Sequence, residues 1–592
     1  MASRSGGDVG VTRRSALAGL TGGLAATSGC LGKIRALVGR NQPTTVSLSI
    51  KTRPVDQDPY AIAIARQLSE WFEAAGIRTS IQPITAEELY RQALINHEFD
   101  VFVGQFPGPF ADPDAFYPLL HSTYSVESGM QNPFGYTNLL LDDLLERQRR
   151  ETGRQRTETV TRIQRQLVQV CPFLVLGFPN VIRAARTDRF TGWNGVFDPS
   201  PVNLLGLNRN DESATRLRAT TPDDRPTANL NPLMASHRGP SDITDLLYDT
   251  LAYRYRDTLY PWAATNWEWT DKEPLELEVT LREGLRWHDG RRLTASDVAF
   301  TYRLLQDTSL GSLSESVPTF RFRGRSSLVE SAEAVDDTTV RLQFDDCSRQ
   351  TARRVFTVPL LPEHVWEDRT DKATVSGVDV GVTTTDALVT SNIEPVGSGP
   401  RVQVGDREPD AGARAVRRPL PSTSEETGLP SALSGGPPFE EFELQFVGSD
   451  ASAVNLVAND EADVTALGVG PDLTSTIGRA DDVSLNLERS GAFYFVGFNT
   501  RRSPLTNPRF RSTLARLVDR GALSESVFDG YVDPAVSPLS GTAWLPSDLA
   551  WEPTNPVTDF LGTGGTVDSE RARKAFRAVG YRYNEQQRLL RS

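Results

Sequence analysis

The stretch LEVTLREGLRWHDGRRLTASDVAFTYRLLQD, Leu277–Asp307, decides the fold. Its first third alternates apolar and polar residues, as a half-buried strand does. HDG marks a turn, and Thr294 with Asp297 has capping-box spacing ahead of a helix carrying Phe300 and Leu304. His288 and Asp289 offer two members of a catalytic triad. As neighbours on a strand or turn they point different ways, and no nucleophile motif accompanies them, so the pair reads as structural.

A second stretch, FDVFVGQFPGPFADPDAFYPLL, Phe99–Leu120, reads as a buried strand, a Gly/Pro loop and a helix start with two carboxylates, Asp112 and Asp114. Upstream, TTVSLSI places Val46, Leu48 and Ile50 on one strand face. Tyr60 to Ala75 carries Ile64, Leu68, Trp71 and Ala75 at helical spacing, with Gly76 as a C-terminal cap. Ile77 to Ile84 returns as a strand, and Thr85 with Glu88 caps the next helix. Strand and helix alternate, which is α/β architecture.

The chain of 592 residues is long enough for two or three packed domains. Its net charge of −13 argues against a nucleic-acid surface. The 58 arginines against 5 lysines on an acidic chain resemble the composition of salt-loving archaea. TRRSALAGLTGGLAATSGCLG, residues 12–32, reads as an address. Arg13 and Arg14 ahead of a mildly apolar run resemble a twin-arginine export signal, and small residues before Cys30 resemble a lipobox whose Cys is lipidated. The run is too polar for a spanning helix. The expected location is extracytoplasmic, lipid-anchored to the outer face of the cell membrane. Cys171 and Cys347 then remain, as two buried thiols or one disulfide.

Residues 33–43 read as a tether, 208–226 as a linker and roughly 403–438 as a long surface loop. The helix Ser569 to Val579 turns Ala572, Ala575, Phe576 and Val579 to one side, and nothing after Tyr581 supplies the strand it needs.

Leu277–Asp307 resembles the signature of the oligopeptide/dipeptide class of ABC-importer solute-binding proteins, extracytoplasmic family 5. TANLNPL (227–233) resembles that family's opening strand, ITDLLYDTL (243–251) its next helix, and PVGSGPRVQV (395–404) its Gly-Gly-Pro strand. NDEADV (459–464), the run from Gly491 to Leu523 and ARKAFRAVGY (572–581) follow in the family's order. The family then continues with strands, helices and an Asp-Pro-Asp loop, which here stand first, at 44–207. The resemblance therefore implies a circular permutant. The fold expected is α/β and two-lobed, of the periplasmic-binding-protein type (class II, large peptide-binding), with a hinge and an interlobe cleft. One lobe is expected from 44–187 plus 500–592, the other from 188–499 including a small extra domain.

By the same resemblance the chain is expected to capture a peptide or similar solute between its lobes and deliver it to ABC permease subunits. The segment Tyr494 to Thr500 is the expected crossover. Phe106, Tyr494, Asn499 and Trp544 are the candidate ligand residues, with aromatics supplying stacking area. Asp112 and Asp114 are expected to cap the helix near Ala115. Pro109 falls where a dipeptide binder keeps the acid that grips an amino group, which speaks against a free dipeptide. A monomer is expected, with no cofactor, no catalytic residue, no metal and no nucleic acid; the five His have no ligand spacing. The competing readings are a secreted, membrane-anchored hydrolase and a lipoprotein presenting ligand to a sensory receptor.

Overall fold

A computed structural model describes residues 44–591 except 107, 109, 111, 128, 194–200, 223–228, 235–243, 256–257, 374–383, 400, 405–412, 417–437 and 555–556. Arg13, Arg14, Cys30 and Pro109 therefore lie outside the described residues.

The chain starts as its alternation predicts. Strand β1 (Ser47–Thr52) leads to helix α1 (Pro59–Ala74), β2 (Arg78–Pro83) and β3 (Val101–Phe106). Asp58 caps α1 by accepting from the Ala61 N–H at 2.9 Å, and Pro59 fills the first helical position, where an N–H is not needed. Ile64, Leu68 and Trp71 are buried beneath the helix. Gly76 ends it at φ +84°, and a Cβ there would stand 2.3 Å from the Gln587 carbonyl oxygen, so glycine serves both the turn and the approach of the distant chain end. That end is bonded to the start: Val46 N–H donates to Leu589 O (2.7 Å), Leu589 N–H to Gly76 O (2.9 Å) and Arg591 N–H to Thr44 O (2.8 Å). The helix Ser569–Ala578 buries Ala572 and Phe576 in the same core as β1. Contrary to the expectation that no strand follows Tyr581, two short strands, Arg582–Tyr583 and Leu589–Leu590, pair with each other there, and Leu590 bridges Thr45 at the start of the described chain.

A twelve-stranded mixed sheet is the frame. Its long strand β4 (Phe173–Arg186) changes partners midway. Residues 173–177 pair with the strand Phe493–Phe498, and 180–186 pair with Val483–Arg489. On one side lie Phe493–Phe498, β3, β1 and β2; on the other lie Val464–Thr465, Arg216–Thr221, Glu441–Phe446, Ala413–Val416 and Arg401–Val404. Separate apolar cores clothe these half-sheets, one drawing on residues 46–103 with 494–589 and another on 185–466. The protein is thus α/β with two lobes. A four-stranded antiparallel sheet that includes Glu276–Leu281 extends the second lobe, and the capping box at Thr294 and Asp297 starts the helix Ala295–Gln306.

Four boundaries differ from those read in the sequence. The stretch 208–226 contains the strand Arg216–Thr221, central in its half-sheet, with Leu217, Ala219, Thr220 and Thr221 buried. Its one large apolar residue, Leu217, stands between the half-buried Arg216 and Arg218, so the strand carries the weak hydropathy of a linker. The described part of TANLNPL, 229–233, is not strand. The stretch 403–438 includes the strand Ala413–Val416 and the end of Arg401–Val404. The long strands change partners at 177–180 in β4 and at 489–493, ahead of Tyr494 and of the expected crossover 494–500, and within β4 rather than at the expected boundary 187/188.

Candidate ligand cleft and the seam between lobes

The acid loop after β3 rests on two helices, Leu139–Arg150 and Gly153–Val170. Asp112 caps the short turn Pro113–Ala115, accepting from the Asp114 N–H at 2.8 Å and from Arg156 Nη2 at 2.7 Å. Burial pushes the Asp112 carboxyl up, and the guanidinium groups of Arg354 and Arg156 more than offset this, leaving it below the usual carboxylate range. Asp114 faces inward. Its carboxylate has no solvent exposure and accepts from Gln148 Nε2 (2.9 Å), Arg149 Nε (2.7 Å) and Arg354 Nη1.

Arg354 belongs to the other lobe, so the expected cap residue Asp114 is a joint between lobes. More contacts follow the same seam. Arg323 donates to both Glu127 oxygens (2.9 and 3.1 Å), the Ser348 N–H to Arg149 O (2.8 Å), and Arg150 to Asp346 (2.7 Å). The Arg149 guanidinium lies 3.3 Å from the Tyr117 ring centroid. A Cβ on Gly324 would come within 2.7 Å of Pro118 Cγ, so the turn that carries Arg323 and Arg325 sits directly on the helix Phe116–Leu120.

The candidate ligand residues divide into two groups. Phe106 stacks on Phe493 (5.2 Å between centroids), meets Phe110 edge-on (5.6 Å) and is half-buried. Trp544 packs against the same core, with its ring 5.1 Å from the buried Arg156 guanidinium. Tyr494 points to the opposite face of the strand, where its hydroxyl donates to Asp58 Oδ1 at 2.9 Å. Asn499 Nδ2 donates to the His97 and Phe99 carbonyls, both at 2.9 Å, and ties two loops. Phe106 and Trp544 are brought to the core under the acid loop, while Tyr494 and Asn499 place their polar atoms in the interior. Sequence reading missed Arg149, Arg156, Arg323, Arg325 and Arg354, because single arginines in an arginine-rich chain carry no spacing signal.

His288 and Asp289 diverge. The His288 ring bonds Gly399 O (2.8 Å) and the Gly397 N–H (3.1 Å), while Asp289 pairs with His364 Nε2 at 2.7 Å. Cys171 and Cys347 are free thiols, and burial pushes them up to about 11 and about 12. No helix among the described residues is long and apolar enough to cross a membrane.

The family model described as bacterial extracellular solute-binding proteins, family 5 middle, matches residues 258–590, more than half of the chain. The chain belongs to this family. Among similar curated proteins, the heme-binding protein A of Haemophilus influenzae is 24% identical over 332 residues, covering 54% of each chain. The uncharacterized protein YejA of Escherichia coli is 30% identical over 132 residues, 22% of this chain and 20% of that one. These matches thus span about half, or a fifth, of the relatives' lengths. Of solved structures, NikZ from Campylobacter jejuni in complex with Ni(L-His) superimposes with a TM-score of 0.44 at 16% identity, covering 64% of this chain and 66% of that chain.

Proposed function

We propose that this family-5 protein is the substrate-binding component of an ABC importer. In this reading it is exported through the Arg13–Arg14 signal, held at the outer face of the cell membrane by a lipid on Cys30, and passes a peptide or similar solute to permease subunits. The carrying observation is the double crossing between lobes. Two neighbouring strands, β4 and the run 483–498, connect the lobes, while ion pairs at Asp114 and Glu127 join them along a separate seam. Strands that cross in a narrow band can absorb a rotation, and a seam of side-chain contacts can open and close around a solute. Phe106 and Trp544 are the proposed apolar wall, with Tyr494 and Asn499 holding the backbone beside it.

We also propose the circular permutation. Its support is that residues 44–103 share a core with 494–589, and that the described chain ends are hydrogen-bonded to each other. The proposed lobes, 44–187 with 500–592 and 188–499, are shifted so that both crossings, 177–180 in β4 and 489–493, fall between them.

Native mass spectrometry of protein purified from its host should identify a bound solute. Small-angle scattering should then show the protein becoming more compact when that solute is returned to stripped protein. Turnover of the solute, or an unchanged radius on saturation, would count against the receptor reading.

A further inference from the structure

The hairpin of Arg582–Tyr583 and Leu589–Leu590 closes over the amino ends of β1 and β2. Leu589 is fully buried there, and the Tyr583 hydroxyl donates to Ala75 O at 2.9 Å. Arg582, on the other side of its strand from Tyr583, is exposed, and Arg588 is half-buried. Two exposed arginines join them through backbone bonds: the Arg591 N–H donates to Thr44 O (2.8 Å) and the Arg78 N–H to Val46 O (3.1 Å). On the helix Ser569–Ala578, Ala572 and Phe576 face the core while Lys574 and Arg577 are exposed. The Arg577 guanidinium lies 5.4 Å from the Tyr583 ring centroid, which ties the helix to the hairpin. None of these six cations forms an ion pair among the described residues, whereas their neighbour Arg571 reaches Asp559 at 3.7 Å. Nearby Glu73 accepts from the Thr79 hydroxyl at 3.1 Å. From 569 to 592 the sequence holds seven Arg and Lys against Glu570 and Glu585, in a chain of net charge −13. A positive end on an acidic molecule orients it toward an anionic surface.

Thr44, where the segment from Cys30 joins the described chain, lies within this basic end. Fourteen residues separate them, so the end stays within about 50 Å of Cys30. That segment carries Lys33, Arg35 and Arg40 and no acid. One lipid chain is a marginal anchor, and a polybasic contact beside it makes the attachment stable.

We infer that this basic end of the first lobe rests on an anionic bilayer, with its guanidinium groups on lipid phosphates. This rests on the lipid-anchor reading and gives the anchored protein a second contact with the membrane. Five of the six cations are arginines, whose planar forks match phosphate oxygens in pairs. The strands β1 and β3 run parallel, and β3 leads from its carboxyl end into the acid loop. Contact at the amino end of β1 therefore leaves that loop and its seam turned away from the lipid.

The test is co-sedimentation of the full chain, carrying Cys30→Ser so that no lipid contributes, with vesicles of phosphatidylglycerol or of phosphatidylcholine. The protein should pellet with phosphatidylglycerol only, and sodium chloride should release it. Replacing Arg582, Arg588 and Arg591 by Glu should weaken binding by about tenfold or more. The same change at Arg154, Arg162 and Arg479, all exposed elsewhere, should stay within about threefold of the parent protein. If the first variant does not fold, Lys574→Glu with Arg577→Glu on the helix surface decides, with a several-fold weakening expected. Equal pelleting with both lipids, no pelleting with either, or equal losses in the basic-end and control variants overturns the inference. Mass spectrometry of protein from its host separates it from the anchor reading. A lipid on Cys30 without selective pelleting would keep the anchor and remove the basic contact. Selective pelleting with an unmodified Cys30 would keep the contact and count against the anchor.

Discussion

Arg354 donates to Asp114 across the lobe boundary, joining residues 240 positions apart through a carboxylate without solvent exposure. A second guanidinium, Arg149, holds the same carboxylate from its own lobe. The two partners are therefore not equivalent. Asp114→Ala strands two cations and should cost about 3–5 kcal/mol. Arg354→Met leaves Asp114 paired and should cost clearly less, while raising the radius measured by scattering. Equal losses in denaturant unfolding would contradict this asymmetry.

Acid should act through Asp112. Its folded pKa lies below the ordinary 3.8, so its contribution is complete above that value and is lost as pH falls from it through the folded pKa. Stability measured from about pH 4 down to 2 should therefore decline less steeply in Asp112→Asn than in wild type. Parallel slopes would remove Asp112 from the acid response.

The hydroxyl of Tyr494 serves the buried carboxyl of Asp58. Tyr494→Phe should lower stability by about 1–2 kcal/mol, because a buried acceptor loses its donor. Affinity for the co-purified solute should stay within about twofold, well under the tenfold that 1.4 kcal/mol represents. A large loss of affinity with unchanged stability would return Tyr494 to the cleft wall.

A rearranged chain tests the permutation directly. Joining residue 591 to residue 44 through a short linker and opening the chain at Glu212, in an exposed turn, should give a protein with native circular dichroism and a melting midpoint within a few degrees of wild type. Failure of the rearranged chain to fold would sink the reading.

The α/β fold was legible where side chains repeat with a clear period. The α1 helix with its Gly76 cap, the strands on either side, and the Thr294–Asp297 box all stand as the spacing implies. Arg216–Thr221 was not legible, because its buried positions are filled by one Leu, one Ala and two Thr, and the half-buried Arg216 and Arg218 beside them lower the hydropathy to that of a linker. The acid loop was half legible. Asp112 caps as its position suggests, but the role of Asp114 depends on Arg354, and a partner 240 residues away leaves no local trace. Phe106 and Trp544 could be singled out as aromatic, whereas the arginines of the seam differ from dozens of others only by where the fold carries them.

The bond from Val46 to Leu589 sets a timetable for synthesis. The first α/β units leave the ribosome early, yet the helix and hairpin that complete their core are made more than 450 residues later. During that interval the apolar side of α1 awaits its cover, and contacts of such long sequence separation form slowly. Chaperone occupancy early in translation, released once residues near 590 emerge, is the kinetic signature this architecture imposes.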